Sequence, residues 1–217
     1  MNTKRVTGKK GKFIALEGID GAGKSTHSSW IADHLTRQGI SVTATREPGG
    51  TPIAERLRTI LLDRSEVMTP LAELLIMFAA RAEHIDKIIR PALLAGRWVL
   101  CDRFTDASYA YQGGGRQLDS ADISRLEQMT QNGLRPDLVL LLDAPVEVGL
   151  ARRHGQDRSG DRFESLDFDF KQRVRAAYLE RSRIQDWIQV LDATASIESI
   201  QEQIRGHLDT LVLSQRP

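Results

Sequence analysis

Cysteine is nearly missing from this chain of 217 residues: only Cys101 is present. One thiol excludes an intrachain disulfide, and a chain without such a staple is expected in a reducing, cytoplasmic compartment. Long apolar runs are missing too. None approaches the ~20 residues a membrane-spanning helix needs, so no membrane partner is expected. An excess of one charge is also lacking: 30 basic side chains stand against 29 acidic ones, a formal net charge of +1. That balance excludes a dedicated nucleic-acid or acidic-membrane binder, which carries a marked basic surplus. It leaves room for a concave basic site around a small phosphorylated ligand. The basic lead-in with Lys4, Arg5, Lys9, Lys10 and Lys12 has no signal-peptide core behind it. Residues 1–11 are therefore expected to form a flexible basic extension.

What is present is an alternation. Short apolar runs at 13–16, 42–45, 98–101, 138–142 and 188–191 are bounded by turn or polar residues and hardly alternate. That is the pattern of strands buried on both faces of a parallel sheet. Between them, 25–37, 70–95, 120–132 and 197–213 have helical spacing. Strand and helix in turn predict an α/β fold, a five-stranded parallel sheet flanked by helices, as one domain over 12–213. Ligands of such sheets lie beyond the carboxyl ends of the strands, so the residues just after each run carry the chemistry.

After the first run comes Gly18-Ile19-Asp20-Gly21-Ala22-Gly23-Lys24-Ser25, followed by Thr26, a full match to G-x-x-x-x-G-K-[ST] between strand and helix. The glycines let successive N–H groups aim at phosphate oxygens, and the helix start adds its positive dipole end. Lys24 supplies a point charge for the β- and γ-phosphates, and the Ser25 hydroxyl is a ligand for Mg²⁺. The motif predicts a P-loop NTPase fold and an ATP site over 18–26, without naming what receives the phosphate.

Downstream lie Thr45-Arg46-Glu47-Pro48-Gly49-Gly50, then Met77-Phe78-Ala79-Ala80-Arg81, then Asp102-Arg103-Phe104, then Ser108 and Tyr111-Gln112-Gly113-Gly114-Gly115-Arg116. Together with the P-loop, this set resembles bacterial thymidylate kinase from about Lys12 to Leu211. The resemblance implies ATP-dependent phosphorylation of thymidine monophosphate (dTMP) to the diphosphate, with Mg²⁺ as cofactor and a homodimer as the assembly. It places Arg58, Arg81 and Arg103 on the acceptor phosphate, and Ser108, Gln112 and Arg81 on the thymine edge. An amide carries both donor and acceptor, which suits that edge. Asp102 is expected to hold Mg²⁺ through water or to orient the acceptor's partners, and Glu47 to order Arg103 or meet the sugar and metal shell. Tyr111 is expected against the sugar. The family often has an aromatic residue where Met77 stands here. Phe78 is favoured over it as the base contact, although one residue turns a helix by about 100° and only one of them can face the base.

The stretch 152–162 reads RRHGQDRSGDR, with four arginines and no apolar residue. It is expected to be a short mobile lid over about 152–164 that brings arginine to the phosphates. The P-loop has Asp20 and Gly21 where one subgroup of the family carries a catalytic arginine. The chain thus resembles the subgroup in which the lid supplies it, with Arg158 the first candidate, Arg153 the second and Arg162 an anchor. The alternatives are a kinase for another nucleoside monophosphate, or a P-loop switch that binds nucleotide without transferring phosphate. A switch would not need the acceptor-side arginines. The apolar faces at 71–78 and 123–129 are expected either to form the dimer interface or to be buried within the subunit.

Overall fold

The computed structural model describes residues 10–65, 67–154, 162–163 and 166–214. Arg158, the first lid candidate, and nearly all of the basic N-terminal extension lie outside them. In chain order the elements begin β1 (Phe13–Glu17), α1 (Lys24–Arg37), β2 (Val42–Arg46), α2 (Pro52–Leu62) and α3 (Pro70–His84). A π-helical segment, Ile85–Ile89, leads from α3 into α4 (Arg90–Leu94), so the 70–95 helix expected from spacing changes its winding part-way. Then come β3 (Trp98–Asp102), α5 (Thr105–Ser108), a second π-helical segment Tyr109–Gly115 and α6 (Ser120–Gln131). The chain continues through β4 (Leu138–Asp143), α7 (Val146–His154), α8 (Phe168–Ile184), β5 (Ile188–Asp192) and α9 (Ile197–Leu213). Helices α2, α5, α7 and α8 were not expected from the apolar spacing.

The five strands are parallel in the order β2-β3-β1-β4-β5. All of β1 is buried, with β3 and β4 on either side of it. This is why these strands read as unbroken apolar runs. Each strand runs one residue past its apolar run, to Glu17, Arg46, Asp102, Asp143 and Asp192. The registers Arg46↔Asp102 and Asp143↔Asp192 bring those polar ends level in pairs, and Leu16↔Asp102 sets Glu17 one residue beyond Asp102. The sheet therefore delivers charged side chains to one edge, above a core that includes Ile31, Leu35, Val99, Leu140 and Ile204.

Helix starts are fixed by side-chain oxygens. Thr69 accepts from the Ala72 N–H, Asp119 from Ala121 and Ser196 from Ser199. Such caps satisfy donors that have no partner within the helix. The tail of the Gly-rich 113–115 stretch is there for close packing. A Cβ on Gly114 would lie 2.5 Å from the Ala177 Cβ, and one on Gly115 2.4 Å from the Phe170 ring, both on α8. Of the apolar faces at 71–78 and 123–129, Leu74, Phe78 and Ile123 form a small cluster inside the chain, leaving Leu71, Leu75 and Met129 exposed.

Candidate active site

A cleft of about 590 Å³ opens at the carboxyl edge of the sheet, within the size range of small-molecule sites. One wall is the loop between β1 and α1, with residues 20–26 facing the cleft. Gly18 and Ile19 do not line it. Gly21 has φ 80°, and a Cβ there would lie 2.1 Å from the Gly149 carbonyl oxygen, so only glycine lets the loop rest on α7. Lys24 folds back on its own loop, its Nζ donating to the carbonyls of Gly18 (3.1 Å) and Ile19 (3.0 Å). Burial, with Arg103 adding repulsion, pushes the Lys24 pKa down to about 8. Ser25 and Thr26 are exposed at the start of α1.

Arg103 ties this loop to the rest of the site. It follows β3 with φ 68°, unusual for a residue with a side chain. Its Nη1 donates to the Gly18 carbonyl (2.9 Å) and the Tyr178 hydroxyl (3.1 Å), and its Nη2 to Asp20 Oδ1 (2.6 Å) and the Tyr111 hydroxyl (3.0 Å). Burial acts to raise the Asp20 pKa, but Arg103, Lys24 and Arg153 outweigh it and hold it at about 2. Tyr111 lines the cleft with its hydroxyl taken by Arg103 and Asp20.

The opposite wall is built from β2, α2 and α3. Glu47 is buried between Arg81, whose Nε donates to it at 2.7 Å, and His84 at 2.9 Å. The expectation that Glu47 orders Arg103 is therefore corrected: its two oxygens are taken by α3, which passes beside the end of β2. Arg81 also donates from Nη2 to the Phe104 carbonyl, while its Nη1 is buried without a partner. Phe78 is corrected as well. It is 1% exposed, does not line the cleft, and stacks under Arg81 at 4.5 Å from ring centroid to guanidinium carbon. Met77 lines the cleft instead, because one helical step turns Phe78 toward Leu74 and Ile123. Arg58 lines the cleft and donates to the Pro48 carbonyl at 2.8 Å.

Asp102 lines the cleft with Oδ1 buried and partnerless. Gln112 lines it with Oε1 in the same condition, and Ser108, one turn earlier, has a buried partnerless Oγ. Asp143 is held by a two-pronged bond from Arg175 (2.7 and 2.8 Å), and Asp192 accepts from the Thr194 N–H. Ala193 and Ala195 complete that end of the cleft. Arg152 and Arg153 both line the cleft from the last turn of α7. The stretch expected as a lid from about 152 thus begins within a helix: α7 continues to His154, and basic residues favour a helix C-terminus. Arg162 donates from Nε to the Leu61 carbonyl (3.1 Å) and from Nη2 to Glu73.

Sequence reasoning passed over Glu17, Glu73, Arg116 and Tyr178. Glu17 had a signal: it is the lone charge between an apolar strand and Gly18. Its carboxylate accepts from the Phe104 N–H (2.6 Å) and the Tyr178 hydroxyl (2.7 Å), so it holds the turn carrying Arg103. Burial, with Asp106 adding, pushes its pKa from 4.5 up to about 7. Between those values the folded chain keeps a proton that the unfolded chain gives up. The stability this contributes is complete below about pH 4.5 and is lost as pH rises through 7. Relative to Glu17→Gln, which stays neutral, wild-type stability is expected to fall across that window by on the order of 3 kcal/mol. Thermal unfolding of both proteins across pH checks this; parallel curves would contradict it.

Comparison with known proteins agrees with this geometry. The family model described as thymidylate kinase matches residues 16–204. A thymidylate kinase of Chromobacterium violaceum is 53% identical over 205 residues, spanning 94% of this chain and 96% of that protein. One from Bordetella pertussis is 50% identical over 204 residues, spanning 94% and 97%. The solved thymidylate kinase of Ehrlichia chaffeensis superposes with a TM-score of 0.73 at 32% identity, over 90% of this chain and 98% of that one. With a P-loop wall, an arginine-bearing wall opposite and these matches over nearly its whole length, the chain belongs to the thymidylate kinase family.

Proposed function

We propose that this chain transfers the γ-phosphate of ATP to dTMP, giving dTDP and ADP, a step in supplying thymidine triphosphate. The observation that carries this reading is a set of buried polar atoms without partners: Asp102 Oδ1 and Gln112 Oε1 on residues that line the cleft, and Arg81 Nη1 and Ser108 Oγ on residues that do not. A buried polar atom left unpaired costs on the order of 1–3 kcal/mol, so a ligand that satisfies them gains that much. The thymine edge supplies what they lack, an acceptor at O4 for a donor and an N3–H for the Gln112 oxygen.

ATP lies along residues 18–26, with adenine toward Ala193 and Ala195. Lys24 turns from its own loop carbonyls to the phosphates. Arg58, Arg81 and Arg103 surround the acceptor phosphate, and Tyr111 borders the sugar. Positioning and charge neutralisation are the main tasks in such a transfer. Arg153 at the end of α7, and Arg158 in a lid over about 152–164, bring positive charge to the transferring group and exclude water. The donor set fits Mg²⁺: Ser25 at the start of α1 and the partnerless Asp102 oxygen both face the cleft. Among the described residues no cluster of three or more metal-ligating side chains occurs. This suits an ion carried mainly by phosphates and water, and bound Mg²⁺ would neutralise phosphate charge.

The assembly is a homodimer in the cytoplasm, with Leu71, Leu75 and Met129 on the shared face; they are 53, 48 and 75% exposed. No helix among the described residues is long and apolar enough to cross a membrane. The test of function is ADP release from ATP–Mg²⁺ with thymidine, deoxyuridine, deoxycytidine, deoxyguanosine and deoxyadenosine monophosphates supplied one at a time. Turnover is expected to be fastest with dTMP; no stimulation by any of them would overturn the reading.

A further inference from the structure

Glu73 is fully buried in α3, does not line the cleft, and is nevertheless the most heavily engaged carboxylate beside it. Oε1 receives Gln112 Nε2 at 2.9 Å and Arg116 Nε at 3.3 Å, while Oε2 receives Arg116 Nη2 at 3.0 Å and Arg162 Nη2. Arg162 is in turn fixed to the Leu61 carbonyl, and the Arg116 guanidinium lies 5.1 Å from the Phe170 ring centroid. The carboxylate is therefore pinned on the side away from Gln112 by two guanidiniums, Arg116 and Arg162, that do not line the cleft.

That pinning has a chemical consequence for Gln112. An amide side chain has two orientations of equal shape and opposite hydrogen-bonding sense. A carboxylate flanked by two guanidiniums offers only acceptor oxygens, so it must meet the amide's NH₂ end. The other end of Gln112, its partnerless Oε1, is left for the cleft. We infer that Glu73 is a positioning residue for pyrimidine choice, holding the Gln112 amide so that the site accepts from a ring N–H and repels a bare ring nitrogen. The inference rests on the acceptor reading above. Thymine carries a hydrogen at N3, whereas cytosine presents a lone pair there, so orientation of this one amide separates them. A site built around a hydrogen bond rejects the ligand that cannot make it, because its own buried group is then left unpaired.

The test is competition between dTMP and dCMP, mixed in equal amounts with ATP–Mg²⁺ in one vessel, with both diphosphate products separated and counted. The product ratio reads relative kcat/KM and does not depend on how much of a variant is folded. Glu73→Gln offers Gln112 both a donor and an acceptor and so permits the flip. Glu73→Asp keeps the charge for Arg116 and Arg162 but withdraws by one methylene from Gln112, and it serves where Glu73→Gln folds poorly. The dTMP:dCMP ratio is expected to drop by about tenfold or more in either variant. A ratio within about twofold of wild type in both, even with activity reduced, would mean that Glu73 only supports the fold and would overturn the inference. A wild type that prefers a monophosphate other than dTMP removes the acceptor reading itself, and this inference with it.

Discussion

Replacing Arg103 by methionine is expected to lower kcat by about three orders of magnitude or more and to lower Tm by roughly 6–12 °C. The two effects have one origin. The guanidinium bonds simultaneously to Gly18, Asp20, Tyr111 and Tyr178, binding the P-loop to α8 and to the Tyr109–Gly115 segment. Without it the Asp20 carboxylate and two hydroxyls lose a donor. Removing one partner of a well-buried pair costs about 3–5 kcal/mol. Because Asp20 is partly exposed, about 3 kcal/mol is the appropriate figure, and about 2–4 °C accompany each kcal/mol in a domain of this size. Arginines that stabilise a transferring phosphate contribute about 10³–10⁵ in rate. Arg103→Lys is expected to recover little of the rate, since an ammonium cannot span four acceptors with a planar fork. Steady-state kinetics beside thermal unfolding separates the two roles. A fallen Tm with unchanged kcat would reduce Arg103 to a structural tie.

Glu47→Leu is expected to cost stability on a similar scale, with its kinetic effect confined to the acceptor. Arg81 and Glu47 are buried side by side, their side chains 0 and 2% exposed. Leucine would leave a guanidinium in the interior with only the Phe104 carbonyl and two aromatic faces. Such an uncompensated charge costs about 3–5 kcal/mol, or roughly 6–20 °C in Tm. Arg81 would also lose the orientation that leaves Nη1 for a ligand, so KM for dTMP is expected to rise by about tenfold or more while KM for ATP changes little. Measuring both KM values decides it. Equal rises would show that the damage spreads to the P-loop and that Glu47 does not act through Arg81.

The strands and the P-loop were legible because each is a local pattern. An apolar run reports burial on both faces, and GIDGAGKS requires its glycines where the backbone turns. The end of each strand escaped by one residue, since backbone pairing continues after hydrophobicity stops, as at Glu17 and Asp102. Residues whose roles depend on partners distant in sequence were less readable. The choice between Met77 and Phe78 turns on the rotation of α3 about its axis, which is set by packing on Leu74 and Ile123. Glu47 was singled out, but its partners Arg81 and His84 lie 34 and 37 residues away. Glu73 is an acid within an apolar run, a pattern that signals either a buried pair or an error in the helix face, and only Arg116, Arg162 and Gln112 decide between them. The long spacing at 70–95 hid a change of winding at Ile85–Ile89, which local periodicity does not register.

The most direct measurement is the fate of labelled phosphate. Wild-type chain, ATP labelled in its γ-phosphate, Mg²⁺ and an equimolar mixture of the five monophosphates would be incubated briefly and the nucleotides separated. The cleft that Arg58, Asp102 and Gln112 share with the P-loop predicts that label accumulates in dTDP well ahead of every other diphosphate. Label appearing first in a different diphosphate, or only in free phosphate, would contradict the account.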